Sequence, residues 1–122
     1  MRNQPRYHFI KNTTYALKGL KDIIKTENSF KIELIFFIIA LVLLFYIDTT
    51  LTNKIILFST ISLVLLTEAI NSAIERAIDL VTLEHAVLAG KAKDAGSAAV
   101  FISIIIALVS WSLILLDSFH LI

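Results

Sequence analysis

Apolar positions in this chain gather into three long runs, and a shorter amphipathic stretch stands ahead of them. The first run is Leu34 to Ile47, LIFFIIALVLLFYI; the second is Ile55 to Leu66; the third is Ala98 to Leu116. A bilayer core takes about 20 helical residues. The third run meets that length alone. The first reaches it from Phe30 if Lys31 snorkels its ammonium to the interface. The second continues past Glu68 as a mixed helix, which spans only if its polar half faces protein or headgroups. Ahead of these, at about 100° per residue, Ile10, Leu17, Leu20 and Ile24 fall on one side of a helix and Lys11, Lys18, Asp22 and Lys25 on the other. That is the pattern of a basic amphipathic helix lying on an anionic membrane surface. The expected fold is an all-α membrane protein of one domain over residues 1–122, with a surface helix at about 7–25 and spans at about 30–48, 53–80 and 94–117.

Composition agrees with this reading and narrows the chemistry. With 57% hydrophobic residues in 122 and a mean hydropathy of +0.84, a soluble helical bundle would have too little polar surface to cover three such runs. There is no cysteine, which excludes disulfides, thiolate metal sites and cysteine nucleophiles. The first 30 residues show no apolar core followed by a small-residue cleavage site, so no secretory signal is expected. With 3 glycines and 1 proline, no flexible linker divides the chain, and no repeat or low-complexity tract is visible.

The distribution of charge orients the spans. Arg2, Arg6, Lys11, Lys18, Lys21, Lys25 and Lys31 precede the first span, and Arg76, Lys91 and Lys93 lie between the second and third. Only Lys54 lies between the first and second, and nothing after the third is basic. By the positive-inside rule the N-terminus and the second connection are cytoplasmic, and the C-terminus is outside.

The second span carries the candidate chemistry. Glu68, Asn71, Glu75 and Asp79 stand at i, i+3, i+7 and i+11, on one helical face with Ser72 beside them. Ala69, Ile70, Ala73, Ile74, Ala77 and Ile78 occupy the rest. A carboxylate at the bilayer centre costs about 2.5–3.5 kcal/mol even on a lenient scale, so the stripe belongs near the interface with partners. For Asp79, a solvated face and a functional role are equally open. Glu68 and Glu75 flank an asparagine on the same face, which favours function. Glu27 and Glu33 sit just before the first span, at the same level. Four carboxylates at one depth repel each other unless a cation joins them, and an oxygen-only set suits magnesium. No histidine is placed to suggest zinc. Gly90 to Ser97, GKAKDAGS, opens the third span; Lys93 offers a cation for phosphate, Asp94 a carboxylate, and Gly96, Ser97, Ala98 and Ala99 permit close helix approach. There is no Walker A sequence, kinase glycine loop or DFG, so nucleotide chemistry would use an unrelated scaffold. Nucleic acid is not an expected partner.

Together, Glu68 to Glu75 (EAINSAIE) and Gly90 to Val100 (GKAKDAGSAAV) closely resemble the integral membrane diacylglycerol kinases of bacteria. Tyr15 to Leu20 (YALKGL) and Glu27 to Glu33 (ENSFKIE) are similar to that family as well, and the resemblance runs from about Tyr7 to Trp111. It implies a homotrimer in the bacterial cytoplasmic (inner) membrane, with active sites shared between protomers at the cytoplasmic face. It implies transfer of the γ-phosphoryl group of ATP to the primary hydroxyl of diacylglycerol, giving phosphatidate. By the same resemblance Glu27 and Glu75 are magnesium ligands, Glu68 is the general base and Asn71 supports the site. Lys93 and Asp94 hold the nucleotide, with Glu84 and His85 in the same region and Tyr15 reaching from the surface helix. Glu33, Ser97 and Leu17 face the lipid. The chain departs from the pattern at Glu84-His85-Ala86, where the family often has Glu-Tyr-His, and at His8 and Leu17, where arginine and tryptophan are common.

Two other functions stand beside this one. Undecaprenol kinase is the other activity of the same family; the run after Lys93-Asp94 looks more like the diacylglycerol-using branch. A small cation-coupled transporter would place its acid near the bilayer midplane, whereas these acids cluster at one end of the second span.

Overall fold

The computed structural model describes residues 6–122; Arg2, counted above among the orienting charges, lies outside them. Four helices account for the fold, and no strand occurs among the described residues: α1 (Phe9–Thr26), α2 (Asn28–Tyr46), α3 (Leu51–Val81) and α4 (Val87–Ser118). The last three are long and apolar enough to cross a membrane. At 1.5 Å per residue, α2 is about 28 Å long, close to the hydrocarbon thickness of about 30 Å; α3 and α4, at about 46 and 48 Å, exceed it.

A single residue separates the surface helix from the first span. Glu27 has extended backbone (φ −105°, ψ 109°) and closes both helices. Its N–H donates to Ile23 O at 2.9 Å, and its carbonyl accepts from Lys31 N at 3.2 Å. The side chain caps neither helix, so its carboxylate is available to other groups. At the other end of α2 the chain turns through 47–50. There Thr50 Oγ1 accepts from Asn53 N at 3.2 Å, satisfying a donor that the helix N-terminus leaves open, and Asn53 Nδ2 donates to Thr49 Oγ1 at 2.8 Å.

α3 and α4 form the most closely packed pair, α2 packs on α3, and α1 touches α2 and α3 more lightly. The interior is small and largely polar. Phe30, Leu57 and Val100 are the buried apolar residues, while Thr60, Glu68, Asn71, Ser72 and Ser103 are buried polar ones. Large apolar side chains line the outside of all three spans, as expected where lipid is the solvent and draws no distinction between buried and exposed leucine. Two of the buried hydroxyls are satisfied within their own helices: Thr60 Oγ1 donates to Leu57 O at 3.0 Å, and Ser103 Oγ to Val100 O at 2.7 Å. Thr67 and Ser103 share a hydrogen bond of 2.8 Å across the α3–α4 seam, and Trp111 Nε1–H donates to Leu57 O at 3.3 Å.

α4 begins at Val87, well before the apolar run. The residues Val87 to Ala95 are polar enough to escape a search for spans, yet rich in alanine, leucine and lysine, which favour helix. Lys93 and Asp94 therefore sit within a continuous helix. At Gly96, α4 packs directly against α3. A Cβ there would collide with Asn71 Oδ1, with Asn71 Cγ at 3.4 Å and Ile74 Cδ1 at 3.7 Å.

Candidate active site at the surface-helix end of the bundle

The polar stripe of α3 faces inward at the end of the bundle next to α1. Glu68, Asn71 and Ser72 are buried, with 6%, 7% and 2% of their surface exposed. Glu68 Oε1 accepts a 2.6 Å hydrogen bond from Ser29 Oγ, in the first turn of α2. One turn further along α2, Glu33 lies close enough to Glu68 for their charges to interact. Glu33 Oε2 is buried without a hydrogen-bond partner. Asn71 Nδ2 donates to Glu75 Oε1 at 3.3 Å, while Asn71 Oδ1, pressed towards Gly96, has no partner either. Unpaired buried polar atoms are costly and rare, and two of them beside one buried carboxylate mark this as a place built to receive something else.

Two cations pair with acids at this end of the bundle. Arg76 Nη2 donates to Glu27 Oε1 at 3.0 Å and to Thr26 Oγ1 at 2.7 Å, and its Nη1 pairs with Asp22. Lys93 Nζ donates to Asp79 Oδ1 at 2.7 Å. Asp79 thus has a partner, which accounts for its place on the stripe. Lys93 and Asp79 also line a cavity of about 170 Å³ with Thr82, Glu84, His85 and Gly90, so the structure brings Glu84, His85 and Lys93 around one space. A larger groove, about 560 Å³, runs between α2, α3 and α4; Glu33 is its acid among Phe36, Phe37, Ile61, Ile104 and Trp111.

Other residues singled out from sequence are not drawn together within the chain. Tyr15 and Leu17 on α1 are 59% and 62% exposed. Asp94 and Ser97 are exposed on α4. Among the described residues, no three acids or histidines converge as a metal cage. Magnesium is commonly held by one or two carboxylates plus phosphates and water. Glu27 and Glu75 each keep one carboxylate oxygen free of protein hydrogen bonds among the described residues. Ser29 and Arg76 are the two site members that the sequence did not reveal as such.

Fold and site together define a multi-pass helical membrane protein with a carboxylate-rich pocket where its spans meet a surface helix. Residues 14–115 match the prokaryotic diacylglycerol kinase family, and the chain belongs to that family. It is similar to the diacylglycerol kinase of Escherichia coli (strain K12), with 37% identity over 110 residues and 90% of each chain covered. It is 39% identical over 108 residues to the diacylglycerol kinase of Haemophilus influenzae, covering 88% of this chain and 92% of that one. The undecaprenol kinase of Bacillus subtilis (strain 168) is 31% identical over 108 residues, 88% of each chain. Family membership makes the protein a membrane lipid kinase and sets the transporter reading aside.

Proposed function

We propose that this protein is a diacylglycerol kinase that transfers the γ-phosphoryl group of ATP, with magnesium, to the primary hydroxyl of diacylglycerol and releases phosphatidate. The observation that carries the reading is the bond between Ser29 and Glu68. A buried carboxylate already accepts a primary hydroxyl at 2.6 Å, and the acid that neighbours it, Glu33, lines an apolar groove able to take an acyl chain. A lipid alcohol entering along that groove presents to Glu68 the same group that Ser29 presents now.

The roles follow from the surroundings. Glu68 takes the proton of the acceptor hydroxyl as that oxygen attacks the γ-phosphorus and the bond to the bridging oxygen of ADP breaks, a task that requires hydrogen-bond reach first. Asn71 fixes Glu75 through its amide. Glu27 and Glu75 would hold the magnesium, which when bound would neutralise phosphate charge. Lys93 exchanges Asp79 for a phosphate oxygen, with Glu84, His85, Asp94 and Tyr15 around the nucleotide. Ser97 and Leu17 face the lipid. Phosphoryl transfer asks mainly for positioning and charge compensation, and this inventory supplies both without a phosphate-binding loop. The exposed Tyr15, Leu17, Asp94 and Ser97 complete the site in a homotrimer, where α1 or α4 of one protomer meets α3 of the next. The site faces the cytoplasm at the inner membrane, with the C-terminus outside.

The deciding assay uses purified protein in mixed micelles with labelled ATP, magnesium and a panel of lipid alcohols. Labelled phosphatidate from diacylglycerol is the expected product. The similarity to an undecaprenol kinase makes a higher kcat/KM for undecaprenol the outcome that would replace the acceptor, and no labelled lipid at all would remove the reading. A reporter fused to the C-terminus tests the topology, since cytoplasmic reporter activity there contradicts it.

A further inference from the structure

Among the described residues, every side-chain hydrogen bond that joins α1, or the Glu27 hinge below it, to another helix is made by one side chain, Arg76. Its guanidinium divides its donors. Nη1 takes Asp22, one turn inside α1. Nη2 takes Thr26 at the end of α1 and Oε1 of Glu27, the residue that breaks the chain between α1 and α2. Thr26 also donates to Asp22 O at 2.9 Å, so the two α1 partners are themselves fixed relative to each other. Arg76 follows Glu75 directly on α3. The same short stretch of helix therefore carries one acid of the site and grips the other.

We propose that Arg76 is a positioning residue for the kinase: it fastens the end of α1 to α3 and orients the Glu27 carboxylate by occupying one oxygen and leaving the other for a divalent cation. The orienting half rests on the reading of Glu27 as a metal ligand; the fastening half does not. Stability is not the point of the contact. Arg76 and Asp22 are 45% and 53% exposed at the side chain, and exposed ion pairs add little. What a planar guanidinium adds is direction, because its donors are fixed relative to one another and match two carboxylates at set angles. Glu27 has no cap bond to hold its side chain, so without Arg76 it turns freely about an extended residue. Hydrogen-bond partners that fix a ligating carboxylate typically govern metal affinity as well as geometry.

Two measurements on the full-length protein in micelles separate the halves. The first, without substrate, is the rate at which trypsin cuts α1 after Lys18, Lys21 and Lys25. The second is manganese affinity with a non-hydrolysable ATP analogue, read by electron paramagnetic resonance. In Arg76→Ala, cleavage of α1 rises about fivefold, the upper end for an exposed ion pair, and manganese affinity falls about 10–100-fold. Arg76→Lys keeps the charge but not the fork, so α1 stays protected while manganese affinity still falls. Exchanging the charges, Asp22→Arg with Arg76→Asp, restores protection of α1 but not manganese affinity, because the new aspartate repels Glu27; a purely structural contact would restore both. Wild-type cleavage of α1 in Arg76→Ala overturns the fastening. Unchanged manganese affinity in Arg76→Ala, where Glu27→Gln lowers it, overturns the orienting. Undiminished manganese affinity in Glu27→Gln overturns the ligand reading and the orienting role with it, while the fastening is still decided by proteolysis.

Discussion

Near Leu57, α3 meets its neighbours through a fully buried leucine, a threonine that bonds its own helix, and an indole that reaches a backbone carbonyl from α4. About three turns along the same helix, near Glu68, the contacts are side chain to side chain and run between helices, and two polar atoms are left without partners. The first region is closed: each hydroxyl returns to its own backbone, and nothing is asked of outside molecules. The second is open: its acids, amide and cations are held in place but not fully satisfied. A helix pair in lipid cannot rely on a hydrophobic driving force for association, so the closed half holds the pair together while the open half bears unsatisfied charge. The division separates variants that damage folding from variants that damage chemistry.

The largest effect is expected at the open end. Glu68→Gln retains an acceptor for Ser29 but cannot take a proton, so kcat falls about 10²–10⁴-fold with unchanged helicity and thermal midpoint. On the proposed assignment, Glu75→Gln instead raises the KM for magnesium–ATP, because a ligand acts in the bound state and a base on the barrier. Equal losses of nucleotide affinity in both would erase the distinction. At the closed end, Leu57→Ala removes the most buried apolar side chain. The expected loss is about 2 kcal/mol of stability in micelles, the low end of the range for such a truncation, since lipid replaces the transfer term and only packing is lost. Activity per folded molecule should stay near wild type. Gly96→Ala lies on the boundary. Its Cβ drives against Asn71, an overpacking worth about 1–3 kcal/mol, and it should lower both stability and kcat, because Asn71 also holds Glu75. The smallest change is Trp111→Phe. It forfeits one hydrogen bond to a carbonyl that Thr60 still serves, about 0.5 kcal/mol, visible as a small fall in thermal midpoint.

Much of the architecture was legible because lipid imposes long uniform patterns. The three spans appear as apolar runs, and the stripe from Glu68 to Asp79 appears as helical spacing. Gly96 was read as a point of close approach, and the helix crossing at Asn71 bears that out. The early start of α4 was hidden, because an apolar-run search sees the part of a helix that contacts lipid and overlooks the part that extends beyond it. A break between about 25 and 30 was expected, but that it rests on the single residue Glu27 was hidden: Lys25-Thr26-Glu27-Asn28-Ser29 has neither glycine nor proline, and the chain turns there because a surface helix and a spanning helix cannot share an axis. Arg76 entered the reading only as one charge among those setting topology. Its acceptors lie 49 to 54 residues away, and Ser29 lies 39 residues from Glu68. Periodicity reports only what shares a helix face, so partners brought together by folding leave no trace in spacing.

The uninterrupted length of α3 carries a further consequence for how this sequence can vary. The helix runs 31 residues from Leu51 to Val81 without a break, and it fixes both the closed seam at Leu57 and the acids from Glu68 onward. Inserting or deleting one residue between those points turns everything beyond it by about 100° and moves it about 1.5 Å along the axis. Glu68 would rotate away from Ser29, and Asn71 away from Gly96, with no flexible joint to absorb the shift. Length changes in this kinase are therefore expected at the short connections 47–50 and 82–86 and at the chain ends rather than between Leu57 and Glu68, where one apolar residue can replace another without turning the site.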